Sequence, residues 1–311
     1  MHKKKLISFI LPVYNEYNGL SIIFNELTNY ASNLATRYEY EIIFVDDGSS
    51  DNSWELIKNL SQQDSHVKGI SFSHNFGYQY ALTAGYDYAQ GDALITMDSD
   101  MQHPPYLIEK MVQKWEQGFP IVYAQRINRD DTFLKKLTAA CYYKILQMIA
   151  TITIPRNVSD FRLIDKKVAV ELRKFREKSR YLRGLVAWLG FNHSFVKYEQ
   201  PARLIGTTKY TWSKLFKIAL DGIIGFSKPF SFIAHLAHWL LIATIIFIGL
   251  ICLSNLVITK PLDVFSYWSM LLYLLLSLQL FFITLLGKKI EKQYEAAQQR
   301  PLYSIDNTIN C

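Results

Sequence analysis

The sequence predicts an α/β domain built on a mostly parallel sheet, followed by two transmembrane α-helices. Over the first 126 residues, short apolar runs alternate with helical patterns, and polar motifs follow the ends of the runs. Two stretches without Asp, Glu, Lys or Arg, residues 229–259 and 264–287, each exceed the roughly 20 residues that a helix needs to cross a bilayer. A buried hairpin would need a surrounding protein layer, and only a short polar stretch follows.

Five apolar runs are the predicted strands, and four amphipathic stretches between them are the predicted helices. Apolar strands separated by helices are typical of a parallel sheet that is covered on both faces. Such sheets bind ligands beyond the carboxyl ends of their strands. The strands are residues 6–13, 41–45, 69–73, 93–97 and 121–124, and the helices are residues 20–34, 54–63, 79–89 and 106–117.

Charge and cysteine content exclude several classes of protein. The net charge of +7 comes without zinc-finger spacing or a long Lys/Arg block, so no nucleic-acid partner is predicted. The run at residues 6–13 is too short for a signal peptide and lacks a small-residue cleavage site. The three cysteines, Cys141, Cys252 and Cys311, are odd in number and predict neither a disulfide framework nor a metal cluster.

Lysines crowd the outer ends of the two predicted spans, whereas the connection between them carries only Lys260. By the positive-inside rule, the large domain and the tail are both predicted to be cytoplasmic. The predicted organisation is a catalytic-type domain at residues 1–228, a transmembrane hairpin at 229–290 and a tail at 291–311. The lysines are Lys209, Lys214, Lys217 and Lys228 before the hairpin, and Lys288, Lys289 and Lys292 after it.

Two further stretches, residues 133–153 and 212–227, fit amphipathic helices lying in the membrane interface. The first is apolar on one side and basic near its start, and the second leads directly into the first span. An ordinary packed helix explains the first stretch equally well.

Two adjacent carboxylates, Asp46 and Asp47, follow the second predicted strand and precede a Gly-Ser-Ser-Asp turn. A carboxylate at that position can accept hydrogen bonds from a ribose diol or a base N–H. Helix capping by Ser50 or Asp51 is the alternative, and it does not explain two acidic residues at a strand end. The pair is therefore predicted to bind a nucleotide.

A second acidic motif, Asp98-Ser99-Asp100, follows the fourth predicted strand. Alternate residues of an extended segment project to one side, so Asp98 and Asp100 can face one hard cation, and Gln102 continues that side with a neutral oxygen. Such oxygen donors, together with substrate phosphates, hold Mg²⁺ or Mn²⁺. A solvated turn is the alternative for the motif taken alone.

Four cations lie farther along the chain: Arg126, Arg162, Arg203 and Lys209. Arg203 and Lys209 flank a Gly-Thr-Thr loop that could close as a lid and bring positive charge onto a diphosphate. Any one of the four could instead be a surface charge.

These motifs together resemble, over nearly the whole chain, the inverting GT-A glycosyltransferases that act on polyprenyl phosphates. That family includes dolichyl-phosphate mannosyltransferases and bactoprenol glucosyltransferases. Each motif alone is unspecific, whereas their combination with two C-terminal spans is specific. The motifs occupy residues 12–16, 45–51, 75–77, 97–105, 160–163 and 206–210.

The resemblance implies roles for individual residues. Asp160 would orient the acceptor or act as a base, and Arg162 would pair with the lipid phosphate. Arg126, Arg203 and Lys209 would surround the phosphates of donor and acceptor. The nucleotide would contact Pro12, Tyr14, Glu16 and Asp47, with Asp98 near the ribose and diphosphate, and the metal, Mg²⁺ or Mn²⁺, would be held by Asp98, Asp100 and Gln102.

The resemblance also implies the reaction: one sugar passes, with inversion, from a nucleotide-sugar to an undecaprenyl-type or dolichyl-type phosphate. UDP-glucose is the preferred donor and GDP-mannose the alternative, and the resemblance implies a homo-oligomer such as a tetramer. A processive polysaccharide synthase is disfavoured because no Gln-x-x-Arg-Trp motif is present. A membrane scaffold is disfavoured because Asp98, Asp100 and Lys209 are all intact, and no G-x-G-x-x-G motif supports an oxidoreductase.

Overall fold

The structure is a computed structural model of the 311-residue chain, and it describes residues 4–100, 103–127, 155, 157–178, 180–199, 231–257 and 263–311. The described residues form two compact units. One is an α/β unit that also includes Pro301–Cys311, and the other is a helical unit within Phe226–Arg300.

The α/β unit contains one sheet of eight strands in the described residues. Its strands are β1 (Lys5–Val13), β2 (Tyr38–Asp46), β3 (Val67–Phe72), β4 (Ala93–Thr96), β5 (Ile121–Arg126), β6 (Val158–Asp165), β7 (His193–Tyr198) and β8 (Ile305–Ile309). Their spatial order is β7-β5-β6-β4-β1-β2-β3-β8. The central strands β3, β2, β1 and β4 are parallel, whereas β6 and β8 run antiparallel to their neighbours. The predicted α/β class with a mostly parallel sheet is confirmed.

Helices cover the sheet because its central strands are apolar on both faces. Phe9, Ile10 and Leu11 are consecutive in β1 and fully buried. A Cβ on Gly85 would lie 2.2 Å from Ile10 Cγ2, so a glycine at this position lets its helix cross β1 closely. The helices are α1 (Tyr17–Leu34), α2 (Ser53–Gln63), α3 (Tyr78–Tyr88), α4 (Leu107–Glu116), α5 (Lys166–Arg173) and α6 (Leu182–Trp188).

All five predicted strands and all four predicted helices of the first 126 residues are present, with small shifts at their ends. The largest shifts are at the starts of β2 and α1, predicted at residues 41 and 20 and observed at Tyr38 and Tyr17. The sequence did not predict β6, β7, β8, α5 or α6. In β6, Asp160 and Arg162 interrupt the apolar pattern, although the strand is buried.

Residues 291–311, the predicted tail, contain the end of a helix and a strand. The second long helix continues to Ala297, and Ile305–Ile309 form β8 on the edge of the sheet. This strand pairs antiparallel with β3, from Gly69↔Ile309 to Phe72↔Ile305. A five-residue strand with three polar residues gives almost no local signal, because its stability comes from the backbone groups of the neighbouring edge.

The helical unit consists, in its described part, of α7 (Ser231–Val257) and α8 (Asp263–Ala297). Large apolar side chains of α8 are exposed, including Tyr273 at 72% and Leu280 at 64%. Among the described residues, Leu271–Glu295 alone is long and apolar enough to cross a membrane, and Ala237–Leu250 is a shorter apolar stretch. Two crossings therefore stay a prediction. The predicted interfacial helices near 133–153 and 212–227 lie outside the described residues.

Candidate active site

The loops after β1 and β2 are joined into one surface at the carboxyl edge of the sheet. Val13 pairs with Asp46, and the amide of Asp47 donates to the Val13 carbonyl over 2.8 Å. Asn15 has a positive φ of 53°, which asparagine tolerates better than most residues. Its Oδ1 accepts from the Ser50 amide over 2.8 Å, so the two loops are held in fixed register.

Pro12, Tyr14 and Glu16, the predicted nucleotide contacts of the first loop, lie at different depths. Pro12 is buried in β1, and its carbonyl accepts from Ser99 Oγ over 3.1 Å. Tyr14 is 39% exposed and can reach a ligand, and Glu16 is half-buried. Pro12 therefore fixes the backbone at the end of β1, whereas the side chains of Tyr14 and Glu16 are accessible to a ligand.

Asp46 is buried and hydrogen-bonded inside the protein. Its carboxylate accepts from the Ser49 amide over 3.3 Å and from Ser71 Oγ over 3.4 Å. Burial raises the pKa of Asp46, and the hydrogen bonds from Ser49 and Ser71 partly oppose that rise. With 2% exposure, this side chain fixes the loop after β2.

Asp47 is also buried, and it holds the loop that follows β3. Its Oδ1 accepts from the Phe76 amide over 2.8 Å, and both of its oxygens lie 3.0 Å from the Gly77 amide. Burial raises the pKa of Asp47 to about 6, although these two amide hydrogen bonds act in the opposite direction. A Cβ on Gly48 would lie 2.5 Å from the backbone of His74, so glycine permits this close approach.

Asp98, at the end of β4, is held by two side chains for which the sequence predicted no role. Tyr78 donates its hydroxyl to Asp98 Oδ1 over 2.6 Å, and the Asp98 amide donates to His103 Nδ1 over 2.9 Å. Burial raises the pKa of Asp98, and the Tyr78 hydrogen bond counteracts the rise. The side chain remains 29% exposed, so it is both oriented and accessible.

His103 lies beneath this carboxylate as a neutral ring. Burial lowers its pKa to about 3. Since Nδ1 accepts a hydrogen bond, the hydrogen of the neutral ring is on Nε2, which lies 3.5 Å from Asp98 Oδ2 and 3.5 Å from Ser159 Oγ. The ring stacks on Phe161 at 4.6 Å. His103 therefore supports the loop after β4 from below.

Asp160, in the middle of β6, is paired with two arginines. Its Oδ1 lies 2.7 Å from Arg162 Nη2, and its Oδ2 lies 2.9 Å from Arg183 Nη2. Burial would raise the pKa of Asp160, but the charges of Arg183 and Arg162 outweigh it, and the pKa falls below its ordinary value. Asp160 is therefore a carboxylate that stays ionised.

The two arginines differ in access. Arg162 is fully buried, and its Nε and Nη1 have no hydrogen-bond partner among the described residues. The Arg183 side chain is 35% exposed while it contacts Asp160. A buried guanidinium cannot reach a lipid phosphate without rearrangement, so this placement favours Arg183, which the sequence did not single out, over the predicted Arg162.

Arg126 is the last residue of β5 and Asp100 follows β4, and these two strands flank β6. Arg126 Nε donates to the Tyr198 hydroxyl over 3.2 Å at the end of β5. The charges of Arg126, Asp100 and Asp160 all act on the His103 ring. Gln102, Arg203 and Lys209 lie outside the described residues.

The site therefore has two halves, which we define by their residues. The donor half comprises the loops after β1, β2 and β3, with Tyr14, Glu16 and Asp47. The acidic half comprises the loop after β4 and the middle of β6, with Asp98, Asp100 and Asp160. Of the residues that were not predicted, His103 lies inside a quoted motif, Tyr78 follows the Asn75-x-Gly77 motif, and Arg183 has no local signal.

A divalent cation fits the acidic half by the chemistry of its donors. The described residues contain no group of three or more His, Cys, Asp or Glu side chains arranged to hold a metal. Asp98 and Asp100 nevertheless supply two hard carboxylates, and one is pre-oriented by Tyr78 and accessible. Two carboxylates completed by phosphate oxygens and water are sufficient for Mg²⁺.

Comparison with known proteins identifies relatives along the whole chain. The family model described as glycosyl transferase family 2 matches residues 8–173. An uncharacterized glycosyltransferase of Bacillus subtilis, YkcC, is 40% identical, and the match covers 97% of this chain and 93% of that protein. A bactoprenol glucosyl transferase of Shigella phage SfV is 33% identical, with 97% and 98% covered.

A solved structure is more distantly similar. Glucosyl-3-phosphoglycerate synthase from Mycobacterium tuberculosis, in complex with Mn²⁺, UDP and phosphoglyceric acid, is 16% identical at a TM-score of 0.48. The match covers 71% of this chain and 76% of that chain. At this level the similarity carries no information on the ligands of the present protein.

Proposed function

The chain belongs to glycosyl transferase family 2, and on that premise we propose that it transfers one sugar from a nucleotide-sugar to a polyprenyl phosphate. The predicted glycosyltransferase activity is confirmed by this membership. The acceptor is proposed because relatives that match nearly the whole chain are named bactoprenol glucosyl transferases. The single observation that carries the proposal is the acidic half, where Tyr78 orients the accessible Asp98 over 2.6 Å and Asp160 is paired with Arg162 at 2.7 Å and Arg183 at 2.9 Å.

We place the nucleotide in the donor half and its diphosphate toward the acidic half. UDP-glucose is the first candidate donor, because the named relatives are glucosyl transferases. Tyr14 and Glu16 offer accessible side chains beside the loops that Asp47 holds together. GDP-mannose stays the alternative, and the donor test below distinguishes the two.

The chemistry demands stabilisation of the leaving nucleoside diphosphate. The bond between the anomeric carbon and the donor diphosphate breaks, and its electron pair leaves with that diphosphate. A bound Mg²⁺ or Mn²⁺, held by Asp98, Asp100 and Gln102, would neutralise part of this charge. Tyr78 contributes by holding Asp98 in one orientation before the substrate arrives.

Asp160 is better suited to orient a cation than to accept a proton. A general base works best when its pKa lies near the working pH, and two arginines hold the pKa of Asp160 below its ordinary value. A lipid phosphate is already anionic near neutral pH and needs little deprotonation. We therefore assign Asp160 to positioning Arg183, whose half-buried side chain would bind the acceptor phosphate.

In-line attack then determines the stereochemistry. An oxygen of the lipid phosphate forms the new bond to the anomeric carbon on the face opposite the departing diphosphate. An α-linked donor therefore gives a β-linked lipid product. A single transfer is expected, since the Gln-x-x-Arg-Trp motif of processive synthases is absent from the sequence.

The connectivity of the chain supports two membrane crossings. Strand β7 before the long helices and β8 after them belong to the same sheet. Two strands of one sheet lie on the same side of a membrane. The chain between them must therefore cross the bilayer an even number of times. Leu271–Glu295 is apolar enough to make one crossing, and we assign the second crossing to α7. The α/β unit, which includes residues 301–311, then lies on the cytoplasmic side. A homo-oligomer stays a prediction.

The test is a donor panel with a defined lipid. Protein purified in detergent is incubated with undecaprenyl phosphate, Mn²⁺ or Mg²⁺ and, separately, UDP-glucose, UDP-galactose, UDP-N-acetylglucosamine and GDP-mannose. Mass spectrometry of the lipid should show one added hexose with UDP-glucose. A product with GDP-mannose alone would replace the donor assignment. No glycosylated lipid with any donor, from folded protein, would contradict the proposed function.

A further inference from the structure

The segment 301–311, which follows α8, is attached to the sheet beside the donor half. Besides the β3–β8 pairing, the Ser73 amide donates to the Ser304 carbonyl over 3.1 Å. Ser73 is the first residue after β3, and the loop that it begins ends at Gly77. The segment therefore contacts the start of the loop whose amides Asp47 binds.

An aromatic contact path continues from this segment into the same loop. Tyr303 stacks on Phe72 at 5.0 Å with an interplanar angle of 17°. Phe72 in turn meets the ring of Phe76 edge-on at 5.6 Å, and His74 lies 3.9 Å from Phe76. Phe76 is the residue whose amide donates to Asp47 Oδ1. The path thus leads from Tyr303 to a carboxylate of the donor half.

Tyr303 is itself fixed in place by other residues of the α/β unit. Its hydroxyl donates to Asp87 Oδ2 over 2.8 Å, at the end of α3. Arg176 binds the same carboxylate through both of its terminal nitrogens, at 2.7 Å and 3.1 Å. The ring of Tyr303 is therefore held at one end by this ion pair and at its face by Phe72.

We propose that Tyr303 is a positioning residue for the nucleotide: it holds the loop 73–77, and through it Asp47, in the geometry that the donor half needs. This role rests on the proposed function only for the identity of the ligand. Ser73, His74 and Asn75 of this loop are exposed, so the buried contacts that hold it are the aromatic path to Tyr303 and the hydrogen bonds and close approach of the Asp47-Gly48 turn. A segment distant in sequence thereby determines the conformation of a loop at the nucleotide site.

The test compares two substitutions of Tyr303 with a control on the same strand. Tyr303→Leu removes the aromatic stack and the hydroxyl, whereas Tyr303→Phe keeps the stack. Thr308→Ala alters an exposed residue of β8 that pairs with Ile70, away from the loop. The KM for the nucleotide-sugar should rise about three- to tenfold in Tyr303→Leu, with kcat changed less than about twofold, as expected for a lost aromatic pair. Tyr303→Phe and Thr308→Ala should stay near wild type.

Hydrogen exchange gives a readout that does not depend on activity. The amides of Phe76 and Gly77 should exchange faster in Tyr303→Leu than in wild type or Thr308→Ala, since their hydrogen bonds to Asp47 open more often. If no lipid product forms in any variant, the proposed function fails while this measurement still decides the role of Tyr303. Unchanged exchange and unchanged KM in folded Tyr303→Leu, or equal effects in Thr308→Ala, would overturn the proposal.

Discussion

The donor half and the acidic half both bury carboxylates, but they hold them by different partners. Asp47 accepts from the backbone amides of Phe76 and Gly77, and burial keeps its pKa raised to about 6. Asp160 is equally buried, yet two guanidinium groups bring its pKa below its ordinary value. Neutral dipoles thus offset desolvation only in part, whereas two full positive charges exceed it. The buried carboxylate of the donor half therefore stabilises a loop conformation, whereas that of the acidic half stays ionised.

The largest expected effect comes from removing a charge in the acidic half. Asp98→Asn should lower kcat by about 100-fold to 1000-fold, because an oriented carboxylate that would hold the metal becomes neutral. Lipid glycosylation is measured over a range of Mn²⁺ concentrations, with thermal unfolding as the control for folding. If Asp98→Asn had the kcat of the wild type, the proposed role of Asp98 in holding the metal would be wrong.

Substitution of the two arginines that bind Asp160 should affect activity and stability to different extents. Arg183→Leu should lower kcat/KM for the lipid phosphate about 10- to 100-fold, as for a lost charged hydrogen bond, and it should destabilise the fold less than Arg162→Leu does, because the Arg183 side chain is 35% exposed. Arg162→Leu should instead destabilise the fold by about 3 kcal/mol, since it removes one partner of a fully buried ion pair.

Activity and thermal unfolding of the two arginine variants are measured side by side. If Arg162→Leu lost acceptor affinity while remaining as stable as wild type, the order of the two roles would be reversed. In that case the original sequence-based assignment of Arg162 to the lipid phosphate would be the better one.

The smallest expected effect is a difference in pH dependence between the two halves. The folded pKa of Asp47 is raised, so the folded state binds more protons than the unfolded state between about pH 4 and 6. Stability contributed by Asp47 is therefore lost as pH rises through that window. The free energy of unfolding of the wild type should fall by about 2 kcal/mol there, and this fall should be absent in Asp47→Asn. The folded pKa of Asp160 is lowered, so its contribution is lost only as pH falls below its ordinary pKa.

Thermal unfolding of wild type and Asp47→Asn from pH 4 to 7 checks this difference. Plotted against pH, the unfolding temperatures of the two proteins should run parallel above about pH 6 and diverge below it. Parallel pH profiles would show that Asp47 titrates alike in the folded and unfolded states, which would end the contrast between the halves.

The sequence predicted the first nine elements because their signals are local. Apolar runs that belong to central strands and amphipathic repeats that belong to covering helices can be recognised without knowing their neighbours. Asp46, Asp47, Asp98 and Asp100 were placed at strand ends by the same pattern. Strand β6 was not predicted, because the partners that neutralise its charges lie elsewhere in the chain and include Arg183 on α6.

The amino-acid sequence by itself determined the fold class, the apolar helices and the acidic motifs at the ends of β2 and β4, since each depends on spacing along the chain. Tertiary structure alone decided that Arg162 is fully buried while Arg183 is only half-buried, that Tyr78 and His103 hold Asp98, and that residues 305–309 return to the sheet. These features are pairings between groups far apart in sequence, and their energies depend on burial and distance, which only the folded chain establishes.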